Sequence, residues 1–326
     1  MKKKLSTHNL SENFIINNYL KKLNLNKEGT FNFENDASYI KINKNNKLII
    51  TSDSISEDID FFKKDSPESI AKKIITINLS DLSAMGASPL SYSLNIFLPS
   101  YAKHKWLHNF SLELLKLQKK YMFYLIGGDL SKSNKLQISS TFFGLPKNKV
   151  VSQNKLMPDY DIFITGNLGD SFIGLQILKK KIFIKNTKIK KYFIKKYYFP
   201  KPCMLGPKIS KYVVSMKDIS DGFVGDLKKM LNLNYGAKLY LDNLPLSVNM
   251  KKLLSLKLIK KKQLLNSGDD YELIITSPKK NRNKIINFAK KNKTKITLIG
   301  KVLNKTEIID DSNYPLIIPK EYDHFC

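Results

Sequence analysis

Arginine occurs only once, at Arg282, although the chain has 56 basic residues against 28 acidic ones and a formal net charge of +28. A surface that reads phosphates or guanine edges would use arginine's planar fork, so its near-absence argues against a nucleic-acid binder. The lysines are scattered in the company of Asn and Ile, and adenine- and thymine-rich codons shared by these residues explain the charge more simply. Tight, salt-dependent binding to random duplex DNA would overturn that reading. Cysteine is also scarce. Cys203 and Cys326 give neither a disulfide framework nor metal-ligand spacing, which fits a reducing cytoplasm. The four histidines, His8, His104, His108 and His324, share no ligand spacing and give a zinc site little support. No apolar run approaches the roughly 18 residues that would span a bilayer. The basic start Met1-Lys2-Lys3-Lys4 leads to SENFIINNYLKKL rather than to an apolar segment, which argues against secretion.

What remains is globular. Of 326 residues, 42% are hydrophobic and 26% charged, enough for a sizeable core and for two domains rather than one. Residues 11–23 read as a helix capped by Ser11, with Phe14, Ile15, Tyr19 and Leu20 on one face. Strands are expected at 37–42 and 47–52. Asp65-Ser66-Pro67-Glu68 starts a helix that runs to about Met85 and stops at Gly86. A strand (SYSLNIFL), a helix over 105–120, a strand ending at Ile126-Gly127-Gly128 and a strand LQISSTFFG follow. Residues 147–160 are polar and aperiodic, which divides the chain into domains at 1–150 and 151–326. The second half alternates similarly. Strands are expected at DIFITG, MKDISD, AKLYLDNLPL, YELIITSP and KITLIGKV, and helices at GDSFIGLQILKK and GFVGDLKKML. Lysine-rich helices lie between, and the runs at 179–196 and 257–262 read as solvated faces. This is an α/β chain, in its α+β form, with two domains.

The scarcer charge carries more information. Acidic residues stand beside Gly or Ser in END (34–36), TSDS (51–54), NLSDLSAMGASP (78–89), IGGDLS (126–131), DISDG (218–222) and GDDYEL (268–273). Glycine makes up 14 of 326 residues, about 4% against a usual 7%, so a Gly-Gly-Asp at the end of an apolar strand stands above background. Carboxylates drawn from distant segments suit a hard divalent cation, which in Mg²⁺ bridges protein oxygens to substrate phosphates. Asp218 and Asp221 could face one ion cluster, with Ser220 and the helix start at Gly222 turned to a phosphate. Taken singly, DISD reads as a helix cap and IGGD as a tight turn. Asp81, inside a helix among Leu79, Leu82 and Met85, has the stronger claim, because a buried carboxylate needs a cation or a donor. GNLGDS (166–171) lacks the Lys-Ser/Thr of a P-loop and reads as a strand-to-helix turn whose glycines permit close packing.

In this order and spacing, NLSDLSAMGASP, LIGGDLS, ITGNLGDS, DISDG, GDDYEL and the terminal YDHF closely resemble the thiamine-monophosphate kinase family, of the aminoimidazole ribonucleotide synthetase-like superfamily. The resemblance spans about residues 12–325. It implies an N-terminal α/β domain that binds ATP and Mg²⁺ and pairs across a homodimer, and a C-terminal α/β domain that completes the nucleotide and substrate site. It also implies phosphorylation of thiamine phosphate to thiamine diphosphate with ATP as co-substrate, several Mg²⁺ ions and a cytoplasmic location. Position by position it implies metal ligation by Asp36, Thr51, Ser52, Asp53, Asp81, Asp129, Asp218 and Asp221. It puts ATP contacts at Gly128, Asp129, Gln153 and Ser220, and thiamine-phosphate contacts at Asp60, Asp269 and Tyr322. No side chain is expected to serve as acid or base, because a phosphate-monoester acceptor is already mostly dianionic at neutral pH.

The chain departs from the family pattern at five positions. Glu34-Asn35-Asp36 stands where the family has Gly-Asp-Asp, Asp60 stands for a histidine, Asp269 for a glutamate and Gln153 for an ATP-contacting arginine. Fewer cations near polyphosphate should weaken binding, so reduced but retained activity is expected. The alternatives are a catalytically weakened or regulatory nucleotide-binding relative, or a sister enzyme with another phosphorylated substrate. Selenophosphate synthetase would need a reactive Cys in the N-terminal half, whereas the first cysteine is Cys203.

Overall fold

The computed structural model describes residues 12–25, 47–151, 156–231 and 234–316. The strand expected at 37–42 and the cap at Ser11 lie outside them, as do Asp36, Gln153 and Tyr322. The described chain forms two compact units. The first consists of Ser52–Ile75, Pro89–Phe143 and the described part of the N-terminal segment. The second consists of 47–51, Thr76–Ser88 and the described residues from Gly144 onward.

The chain enters through α1 (Glu12–Ile15), which widens into a π turn (Ile16–Leu20) and then tightens into a 3₁₀ turn (Lys21–Leu23), so the regular helix expected over 11–23 does not form. Ile15, Tyr19 and Leu23 are all buried. Residues four apart drift around an ordinary α-helix, and a widened turn brings them closer to one line. Strand β1 (Ile49–Ser56) continues past the expected end at 52. Helix α2 (Pro67–Ala84) and helix α3 (His104–Tyr121) form where the Pro-Glu start and the apolar spacing predict them. Leu107, Phe110, Leu114 and Leu117 make up the buried stripe of α3.

β2 (Ala87–Leu98), β3 (Tyr124–Lys132) and β4 (Gln137–Pro146) join β1 in a sheet of order β1-β4-β2-β3. β2 pairs with β3 in parallel, with α3 as the crossover, and Asn95 lies opposite Asp129. Gly128 precedes that aspartate with a φ of +155°, and a Cβ there would overlap the backbone of Leu94. Only glycine lets the two strands approach so closely where Asp129 emerges.

The second unit carries a six-stranded sheet, order β10-β7-β9-β5-β8-β6. Its strands are β5 (Asp161–Thr165), β6 (Ser215–Asp218), β7 (Gly236–Leu239), β8 (Leu273–Ser277), β9 (Ile296–Leu303) and β10 (Ile308–Ile309). Among the described residues the pairings of this sheet are antiparallel except that of β10 with β7. β5 and β8 are buried along their whole length, as their apolar runs require. Around them lie α4 (Asp170–Leu178), α5 (Thr187–Tyr198), α6 (Gly206–Ile209), α7 (Phe223–Leu231), α8 (Val248–Ser255), α9 (Lys261–Leu265) and α10 (Arg282–Lys291). The strand expected over 237–246 stops at Leu239, and Leu241–Asn243 turns as a 3₁₀ helix. The lysines of α5 are exposed while Phe193 and Tyr197 are buried, so that run does present a solvated face. Arg282 forms a two-pronged bond to Asp161, Nε to Oδ2 at 2.7 Å and Nη2 to Oδ1 at 2.6 Å. The single arginine therefore ties α10 to β5.

Candidate active site

β6 ends at Asp218, which is only 4% exposed. Its Oδ2 accepts a hydrogen bond from Ser80 Oγ at 3.0 Å, and burial together with the charge of Asp81 pushes its carboxyl up to about 7. Asp81 is half-buried on α2, and its Oδ2 accepts from Thr51 Oγ1 at 2.6 Å. The second unit thus brings Thr51, Ser80, Asp81 and Asp218 together. Repulsion between two carboxyls held in a low dielectric is what a divalent cation would offset, so these residues fit such an ion. Among the described residues, however, no group of three or more His, Cys, Asp or Glu could hold a metal by itself.

The loop after Asp218 is organised by a residue the motif reading missed. Asp226, fully buried on α7, accepts the backbone N–H groups of Ser220, Asp221 and Gly222 through one oxygen, Oδ2, at 3.1, 3.1 and 3.2 Å. Among the described residues its Oδ1 has no hydrogen-bond partner, and it lies 3.8 Å from Lys217 Nζ. Of the helix start expected to face a phosphate, the Gly222 amide is engaged by Asp226. Those amides are already taken by a carboxylate of the same helix, which leaves the hydroxyl of Ser220 for a ligand. The signal was present in Gly222-Phe223-Val224-Gly225-Asp226, where one acid stands within the first turns of an otherwise apolar and basic helix. Asp226→Ala should disorder the 218–222 loop and cost about 2 kcal/mol in chemical denaturation, because it leaves buried donors unpaired.

Asp221 is exposed and pairs with Lys229 at 2.9 Å. An exchange of that lysine for a cation costs little at the surface. In the first unit Asp53 is half-buried on β1, while Ser52 is exposed and shares a hydrogen bond with Thr141 Oγ1 at 2.9 Å. Asp129 and Gly128 are exposed on β3, and Ser131 Oγ donates to Asp129 Oδ2 at 2.9 Å. Asp60, the histidine replacement, accepts the N–H of Ser56 through Oδ2 at 2.7 Å and so closes a local turn.

The Gly268–Glu272 segment runs beside the Asp218 loop. Asp269 N–H donates to Ser220 O at 2.8 Å and Tyr271 N–H to Ile219 O at 2.9 Å, which extends the β6–β8 pairing. Asp269 and Tyr271 take positive φ, +60° and +52°, and the Tyr271 hydroxyl donates to Asp269 Oδ1 at 2.7 Å. Asp269 also lines a cleft of about 370 Å³ with Asp270, Glu272, Asp170 and Tyr192. Desolvation raises the carboxyls of Asp170 and Asp270 above the usual range and pushes Glu272 up to about 7. A Cβ at Gly166 would overlap the Glu272 carboxyl, and Gly169 stands at a φ of +81°, so the turn does depend on glycine as expected.

The chain matches the AIR synthase related protein N-terminal domain over residues 34–145 and the AIR synthase related protein C-terminal domain over 185–311. It is 38% identical over 300 residues to the thiamine-monophosphate kinase of Buchnera aphidicola subsp. Schizaphis graminum (strain Sg), covering 89% of this chain and 91% of that one. Among solved structures, the thiamine-monophosphate kinase of Stenotrophomonas maltophilia K279a superposes with a TM-score of 0.84 at 25% identity, over 94% of this chain and 98% of that one. AaThiL complexed with AMPPCP and TMP superposes with a TM-score of 0.77 at 25% identity, over 98% and 99%.

Proposed function

Because the chain belongs to the thiamine-monophosphate kinase family, we propose that it transfers the γ-phosphoryl group of ATP to thiamine phosphate, giving thiamine diphosphate and ADP. The observation that carries this reading is the buried Asp218 held beside Asp81, a pair of carboxyls whose mutual repulsion calls for a cation. The relative complexed with AMPPCP and TMP supports the same pair of ligands.

The acceptor is a phosphate monoester whose second pKa is about 6, so at neutral pH it is largely dianionic and needs no general base. The chain's task is to position two sets of phosphoryl oxygens and to offset their charge, since each unit pair at 4 Å costs roughly 4 kcal/mol at an effective dielectric of 20. Asp36, Thr51, Ser52, Asp53, Asp81, Asp129, Asp218 and Asp221 form the proposed metal-binding set. Bound Mg²⁺ supplies the neutralising charge. Gly128, Asp129, Gln153 and Ser220 form the nucleotide set, and Asp60, Asp269 and Tyr322 the thiamine-phosphate set. Arg282 is committed to Asp161, so the positive charge absent at Gln153 falls to lysine. Transfer is direct, without a phosphorylated side chain, in a cytoplasmic homodimer with its domains at 1–150 and 151–326. The homodimer pairs through the N-terminal domain.

Coupled ADP release tests the reading. Strict dependence on thiamine phosphate is expected. Release without it, or with another phosphorylated acceptor only, would favour the regulatory or sister-enzyme alternatives. Protein labelled by [γ-³²P]ATP during turnover would exclude direct transfer.

A further inference from the structure

Lys217 and Lys229 both stand against the loop that follows β6, and they do different things there. Lys217 faces inward. Its side chain is 21% exposed, and its Nζ lies 3.8 Å from Oδ1 of the fully buried Asp226, so its charge sits behind the loop. Lys229 faces outward. It lies three residues beyond Asp226 on α7, its side chain is 38% exposed, and its Nζ donates to Asp221 Oδ2 at 2.9 Å.

Helix geometry explains the arrangement. Side chains three residues apart share a helix face and lean toward the helix start. Asp226 and Lys229 therefore both reach back over residues 220–222. The carboxylate gathers the three amides from within, and the ammonium crosses to Asp221 at the surface. The hydroxyl of Ser220, which the loop leaves for a ligand, is one residue away. An ion pair this exposed contributes little to stability, so folding alone gives the lysine little to do.

Charge balance suggests what it does instead. A divalent ion on Asp221 would displace the ammonium from that carboxylate. A triphosphate arriving with the ion carries more negative charge than the ion cancels, so a lysine beside the complex is still favoured. The displaced ammonium gains most by turning to a phosphate oxygen, within the reach of its flexible four-carbon stem. Resting on the kinase reading above, we infer that Lys229 binds the nucleotide: it holds Asp221 in the resting protein and passes to the phosphates of ATP when an ion takes that carboxylate. It thereby supplies the positive charge that Gln153 does not. Lys229 is then a nucleotide-binding residue with no part in binding thiamine phosphate.

Lys229→Met and Lys229→Arg test this. Methionine keeps the length and helix propensity without the charge, and arginine keeps the charge. With each substrate varied separately, the KM for ATP should rise about fivefold to tenfold in Lys229→Met and stay within about twofold of wild type in Lys229→Arg. The KM for thiamine phosphate should not move in either. Calorimetric titration with AMPPCP and Mg²⁺ should show the same loss of affinity, and raised ionic strength should narrow the gap between wild type and Lys229→Met. Unchanged AMPPCP affinity in Lys229→Met would overturn the assignment, and if that variant also needed less Mg²⁺ the lysine would be no more than an occupant of the ion's place. Equal losses in both variants would trace the effect to helix packing and overturn it too. If the wild-type protein released no ADP in response to thiamine phosphate, the kinase reading would fall, and the titration would still decide Lys229. Affinity weakened in Lys229→Met and kept in Lys229→Arg upholds the assignment; equal affinity in all three proteins, or none in the wild type, rejects it.

Discussion

Asp129→Asn is expected to lower turnover by about a hundredfold or more while leaving the protein as stable as before. The two effects separate because of where this side chain stands. Asp129 is exposed on β3, and its one described hydrogen bond comes from the neighbouring Ser131. Removing its charge disturbs no core contact, so the stability change should stay within about 0.5 kcal/mol. Its proposed work is to hold the Mg²⁺ that offsets phosphoryl charge beside the nucleotide, so loss of the carboxylate weakens ion binding directly. Turnover assays beside thermal unfolding of both proteins check the prediction. Turnover near that of the wild type would remove Asp129 from the metal set.

Asp218→Asn should produce the opposite pairing, with activity lost and the metal-free protein gaining stability. Asp218 ionises near 7 in the folded chain because burial and Asp81 both disfavour its charge, whereas an unfolded aspartate ionises near 3.9. The folded state therefore holds the proton more tightly. The stability this contributes is present below the ordinary carboxylate range and is lost as pH rises through about 7. At pH 8 the wild-type carboxylate stands ionised beside Asp81, and the asparagine does not. The gain should be on the order of 2 kcal/mol, or about 4–8 °C in Tm. Ser80 can still donate to the amide oxygen. Added Mg²⁺ should stabilise the wild type more at pH 8 than at pH 6, since protons compete for the same oxygen, and should do little for Asp218→Asn. A variant that is less stable than the metal-free wild type at pH 8 would show that the carboxylate is favourable where it sits.

Much of this arrangement was legible before any coordinates, for reasons specific to each residue. The α2 start at Asp65–Glu68 and the buried β5 and β8 follow from local chemistry, namely a proline in the first turn and short apolar runs. Asp81 stood out because its helix neighbours are apolar. The role of Asp226 stayed hidden, because a carboxylate that gathers three amides looks in sequence like any acid early in a helix. The widened turn at Ile16–Leu20 is likewise set by which residues tertiary packing buries, and helical periodicity alone does not reveal it. Ser171 was invisible for a related reason. Only three-dimensional contacts show that, among the described residues, a hydroxyl in a glycine turn lacks a hydrogen-bond partner.

The most direct measurement is ³¹P NMR of the wild-type protein with ATP, Mg²⁺ and thiamine phosphate. The expected spectrum shows the two coupled resonances of thiamine diphosphate growing in step with ADP as the thiamine phosphate signal declines. ADP accompanied by inorganic phosphate, with the thiamine phosphate resonance unchanged, would contradict phosphoryl transfer to this acceptor.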